Sequence, residues 1–158
     1  MKSGSLVMKH PQPIRPLYRR RAVRQRGSAV LDAALVFPIL ISLTFGCIEF
    51  GDFFYVKHTL QGAAREGARA AAMPSAANSD VTTAVDQSMK MAGFTTAQYT
   101  TKIRDVNDTT DINVASQTTG TPILVKVQCT WSTVGLRPLG LIGSGKTVVG
   151  MTTMRKEG

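Results

Sequence analysis

Acidic residues are missing from the first 27 positions of this 158-residue chain, which hold eight Lys or Arg. That arm supplies +8 of the formal net charge of +9, and the other 131 residues, with 11 basic and 10 acidic side chains, are nearly neutral. Charge confined to a short arm excludes a basic surface spread over a folded domain, so no nucleic-acid partner is expected. Histidine is scarce, at His10 and His58 alone, and the sequence advertises no partners with which His58 could make a metal cluster or a triad. His58 is expected on a helix surface. Two cysteines make no disulfide framework; Cys47 is expected as an apolar filler and Cys129 as a buried thiol. Internal repeats and coiled-coil heptads are absent.

What the chain does have is an apolar run. Ala33 to Ile48 carries no charge, and extending it back to Gly27 adds only Asp32, giving 22 residues. At 1.5 Å per helical residue this reaches roughly 33 Å, enough for a hydrocarbon core of about 30 Å. The run is apolar on every side and has no equally apolar partner in the sequence to bury it, so a membrane span is expected. The arginine-rich arm orients it with the N-terminus in the cytoplasm and the C-terminal portion outside.

Asp32 sits one turn inside this run, where an unpaired carboxylate is costly. A cut after Gly27 would make Ser28 a new N-terminus whose ammonium could neutralise Asp32 of a neighbouring subunit, and glycine before the cut leaves an extended backbone unobstructed for a protease. Basic leader, glycine, four residues, an acid and a long apolar helix together resemble the class III signal of type IV pilin-like proteins. From Arg26 to Ala72 the chain resembles the TadE-like family of tight-adherence (Flp-type) pilus assembly proteins, through Gly27, Asp32, Leu35-Val36-Phe37-Pro38, Gly46, Glu49-Phe50-Gly51 and Ala63-Ala64-Arg65-Glu66-Gly67-Ala68-Arg69. In that family the acid is usually glutamate. The resemblance implies Gly27 and Ser28 as the processing site of a prepilin peptidase, Asp32 as the acid that sets subunit register, and Pro38, Gly46, Glu49, Gly51, Ala63, Ala64, Arg65, Glu66, Gly67 and Arg69 as family-motif, subunit-packing positions.

Beyond the span, Phe53, Val56, Leu60, Ala63, Ala64, Gly67 and Ala71 recur at steps of three and four, so the helix is expected to continue amphipathically until Pro74. Its small residues suit close approach of another helix, or packing on its own domain. Ser79 or Asp80 can cap a second helix over Val81 to Ala92, closed by Gly93. Alternation over Tyr99 to Arg104, Asp111 to Ala115, Ile123 to Trp131 and Lys146 to Met154 predicts an antiparallel sheet, with turns at Asn107-Asp108 and Gly120.

Gly140 to Thr147 spells G-x-x-x-x-G-K-T, but a phosphate-binding loop needs a following helix, and Val148-Val149 favour a strand; a glycine-rich turn is expected, with no nucleotide. Asp105 to Thr109 begins like a calcium loop yet has Thr110 where glycine is needed and Ser116 where glutamate is needed, so a polar turn is expected. Asp32 and Glu49 lie 17 residues apart, roughly 25 Å along a helix, too far to act as a carboxylate pair. Glu66 and Arg69 are expected to pair on a solvated face.

The expected protein is α+β and not an enzyme. It has a basic cytoplasmic leader (1–27), a transmembrane helix (28–50), an amphipathic extension (51–73) and a small extracytoplasmic α+β domain (74–158). It is expected to be a minor pilin-like protein (pseudopilin) of the bacterial inner membrane, with the bilayer, other pilin-like subunits, the pilus assembly machinery and the peptidase as partners and no cofactor. The alternative is an unprocessed single-pass protein whose outer domain binds a ligand or envelope component.

Overall fold

The computed structural model describes residues 21–158, with side chains from Gly27 onward. Residues 1–20 of the expected leader, His10 among them, lie outside the described residues. Helix α1 runs from Arg21 to Ala72 and contains Pro38. Pro38 withholds the amide that would otherwise bond one turn back, and α1 continues through it. The helix stops two residues short of Pro74, as the sequence predicts.

The described residues divide into two units, one ending at Leu40 and the other running from Ile41 to Gly158. In the first, the described side chains are exposed throughout, including Val30, Leu31, Leu35, Val36, Phe37, Ile39 and Leu40. Among the described residues one helix, from Gly27 to Ala72, is long and apolar enough to cross a membrane.

The second unit combines the rest of α1 with α2 (Asn78–Met91), β1 (Thr100–Asp105), β2 (Pro122–Thr130), α3 (Trp131–Val134) and β3 (Thr147–Arg155). The strands form an antiparallel sheet in the order β1-β2-β3. Its central register sets Ile103 beside Val125 and Val125 beside Thr152. Ile123, Val125, Val127 and Cys129 alternate along β2 into a core shared with Val56, Leu60, Ala63, Ala64, Ala68 and Ala71 of α1 and Val81, Val85 and Met89 of α2. The α+β class with a long N-terminal helix is therefore the observed one.

Two glycines set the spacing of these layers. Gly150 of β3 lies so close to α1 that a Cβ there would overlap the backbone of Leu60 and Gln61. A Cβ at Gly67 would come within 2.6 Å of Val85 and 3.1 Å of Val125. Helix and sheet thus approach at backbone distance at one point and through valine side chains at the other.

The sequence reading needs correction in two places. Helix α2 begins three residues early, with Ala77 as its N-cap residue, because the Asp80 carboxylate turns back to accept the Ala77 N–H at 2.9 Å. Its other end closes as predicted at Gly93, whose φ of 85° lets the Gly93 and Phe94 amides reach the carbonyls of Lys90 and Met89. The strand expected over Asp111 to Ala115 does not form. Asp111 makes one isolated bridge with Arg104, the Ile112 amide bonds Ile103, and the chain then leaves the sheet edge. It turns away because the Val114 amide is taken at 2.7 Å by the Asn78 side chain, and Asn113 caps a short 3₁₀ turn over Val114–Ser116. The turns at Asp108 and Gly120 have φ of 56° and 82°.

Candidate functional site

Gly27 and Ser28 lie on the early turns of α1, exposed, with open space where a Gly27 side chain would stand. Asp32, one turn after Ser28, is exposed on the same helix. The backbone here is helical, as it is from Arg21 onward.

Where the uncharged run ends, the next two acids are Glu49 and Asp52. Both are bonded to one loop, which enters after α3. The Glu49 side chain is fully buried and its two oxygens accept the amides of Ile142 at 2.8 Å and Leu139 at 3.2 Å. Asp52 accepts the amide of Leu136 at 2.6 Å. Gly140, at φ 66°, supplies the left-handed residue that turns successive amides toward one carboxylate. This is the loop whose letters resemble a phosphate cradle. Its amides do hold an anion, but the anion belongs to the same chain, and β3 follows it in place of a helix. The loop also packs at Gly46, where a Cβ would stand in ordinary contact with the Leu141 side chain at 3.7 Å. Gly51 meets nothing within the chain, and its helical position leaves that face open.

Farther along α1, Ala63, Ala64 and Gly67 are buried against the chain's own sheet and α2, so these motif positions are filled from within. Arg65, Glu66 and Arg69 remain exposed, with the expected Glu66–Arg69 pair at 3.0 Å. Small residues bury one edge of the motif while its charged edge stays open to a neighbour.

Residues 27–69 match the family model of TadE-like protein. The match begins at Gly27 and ends at Arg69, so it spans both the exposed start of α1 and the charged motif. The match covers 43 of the 158 residues, so the likeness to that family is a likeness of α1. No curated protein and no solved structure matches the chain.

Outside the TadE-like segment, Asp105 forms the polar turn expected of it. Its carboxylate takes the Thr110 amide at 2.9 Å, the Thr109 amide at 2.7 Å and the Thr109 hydroxyl at 2.8 Å. These bonds, the Thr110 amide foremost, hold its pKa down to about 2. Lys126 and Arg104 converge on Asp108, and the Lys126 ammonium is the main reason its carboxyl lies below the usual range. Burial pushes the Tyr99 hydroxyl up to about 12, helped by its 2.7 Å bond to Asp86. Cys129 is buried and free, its pKa raised to about 11 by desolvation, and Cys47 is exposed and free. His58 lies exposed on α1. Among the described residues no cluster of three or more His, Cys, Asp or Glu could hold a metal.

Sequence reasoning missed Lys156 and the Glu49 loop. Lys156 is buried, and its ammonium donates to the Val114 carbonyl at 3.0 Å and to the Ala76 carbonyl at 3.5 Å. Next to it the Glu157 amide bonds the Ala72 carbonyl at 2.7 Å, satisfying the C-terminal end of α1. Neither feature has a sequence signal, because in each case the partner is backbone.

Proposed function

We propose that this chain is a minor pilin-like subunit, anchored by α1 in the bacterial inner membrane, which a prepilin peptidase cuts between Gly27 and Ser28 and which acts in assembly of a tight-adherence pilus. The observation that carries this reading is the family match starting at Gly27 on a helix whose apolar residues from Val30 to Phe50 are exposed. An exposed apolar helix needs lipid or other apolar helices around it, and a pilin-like subunit has both in turn. In this reading Asp32 pairs with the ammonium of a neighbour's mature N-terminus, and its exposure one turn after Ser28 supports that. The extracytoplasmic placement of the α+β unit follows from the basic arm before the span.

Sequencing of the mature N-terminus in cells that contain a prepilin peptidase tests this. Ser28 as the first residue supports processing, and Gly27→Val should block it by crowding the scissile backbone. An intact leader in the parent protein would favour the unprocessed single-pass alternative, with its outer domain as a binding module.

A further inference from the structure

The loop over residues 135–146 exposes three leucines within six residues. Leu136, Leu139 and Leu141 are 61%, 41% and 57% exposed, while Ile142 between loop and core is partly buried. Leucines this open on a loop are unusual unless something apolar covers them. Their backbone differs from that of an ordinary surface loop as well. The amides of Leu136, Leu139 and Ile142 are all spent on Asp52 and Glu49, so they do not call for water. Bonded amides beneath outward leucines are what a segment needs to sit against hydrocarbon, where an unpaired backbone group is costly.

The position along α1 identifies the cover. The loop bonds Glu49 and Asp52, and Leu141 reaches back to Gly46, two residues inside the uncharged run that ends at Ile48. Gly46 to Asp52 is about 9 Å of helix, so the leucines hang beside the outer end of the span. Phe50 and Phe54 are exposed on α1 at the same level, as aromatic side chains at a membrane boundary often are. The loop segment Gly135 to Lys146 has no acidic residue and carries Arg137 and Lys146, whose charges suit anionic headgroups. By bonding Glu49 and Asp52, the loop also occupies the first two carboxylates that would otherwise mark the aqueous side.

We propose that the 135–146 loop is a second membrane contact, with Leu136, Leu139 and Leu141 inserted into the outward-facing leaflet of the bilayer that α1 crosses. The inference rests on the membrane-anchored reading of α1. It makes the outer domain a body seated on the lipid surface by its loop as well as by its helix.

The full chain, with Cys47 changed to Ala and the buried Cys129 kept, can carry an environment-sensitive fluorophore at Leu141→Cys and separately at Leu136→Cys. Leu40→Cys serves as the probe within the span. Ser75→Cys serves as the distal probe, since it follows the end of α1, roughly 36 Å of helix beyond Ile48. In vesicles of phosphatidylcholine and phosphatidylglycerol, nitroxide-labelled acyl chains should quench positions 136, 141 and 40 severalfold more than position 75, with the reverse order for aqueous iodide. If position 40 is quenched by lipid while 136 and 141 behave like 75, the loop insertion is wrong and the span stands. If 136 and 141 are shielded from both quenchers, a protein surface covers the leucines and the lipid proposal is overturned. Failure at position 40 would remove the membrane reading and this inference together.

Discussion

The Glu49 carboxylate accepts the Ile142 amide at 2.8 Å, joining positions 93 residues apart in sequence. An acid at the end of the apolar run thereby organises the loop that follows α3. Glu49→Ala removes the acceptor for the Ile142 and Leu139 amides and should speed hydrogen exchange at both by on the order of tenfold or more, with the β2–β3 ladder unchanged. Glu49→Gln keeps one acceptor oxygen and should fall between. Equal exchange in all three forms would remove Glu49 as the organiser of the loop.

Glycine substitutions should separate backbone contact from side-chain contact. Gly150→Ala sets a methyl against the Leu60 backbone, which cannot move without displacing α1, and should prevent a stable outer domain. Gly67→Ala presses on Val85 and Val125 side chains, which can partly yield, at a cost of about 1–3 kcal/mol. Gly51→Ala has open space and should be neutral or add up to about 1 kcal/mol to helix stability. Denaturant unfolding of the detergent-solubilised chain reads all three, and a Gly150→Ala protein as stable as the parent would contradict the close approach of β3 to α1.

Asp105 and Asp108 contribute to the acid side of the stability profile. Both pKa values are depressed in the fold, that of Asp105 from 3.8 to about 2, so the native state holds fewer protons than the unfolded chain across that interval. Their stabilisation is therefore complete above the ordinary carboxylate range and is lost as the pH falls from about 4 toward 2. Asp105→Asn should flatten the decline in thermal midpoint over that window. A variant that tracks the parent through the same pH range would show that the Thr109 and Thr110 bonds contribute nothing to stability.

Much of this architecture was legible because its signals are local. The apolar run and the three- and four-residue steps from Phe53 to Ala71 define α1, and Pro74 ends it. Alternation marks β2 and β3. The expected strand at Asp111 to Ala115 failed because Asn78, more than 30 positions away, captures the Val114 amide. Glu49 was marked only as a motif letter, since its partners are amides and an amide is the same for every residue but proline. The packing role of Gly150 was equally hidden, as its neighbour is the backbone of Leu60.

Asp32 should matter more for assembly than for folding. Its exposed side chain is absent from the core of the outer unit, so Asp32→Asn should leave membrane insertion and the unfolding midpoint of that unit unchanged while reducing co-purification with other pilin-like subunits. Asp32→Glu, which restores the family's usual acid, should retain it. A crosslinking assay in which Asp32→Asn assembles like the parent would remove the proposed pairing with a neighbour's Ser28 ammonium.

The lateral ties along α1 set the time at which the domain can close. Lys57 and Gln61 are held by carbonyls of Val149 and Met151, 92 and 90 residues later, and Ala76, past the end of the helix, by Lys156, 80 residues later. Contacts this distant slow folding, because loop closure must precede the gain from packing. During synthesis the stripe from Val56 to Ala71 therefore emerges long before β3 arrives to cover it. Throughout that interval the nascent chain presents an uncovered apolar helix face, and its correct partner is the last strand to be made.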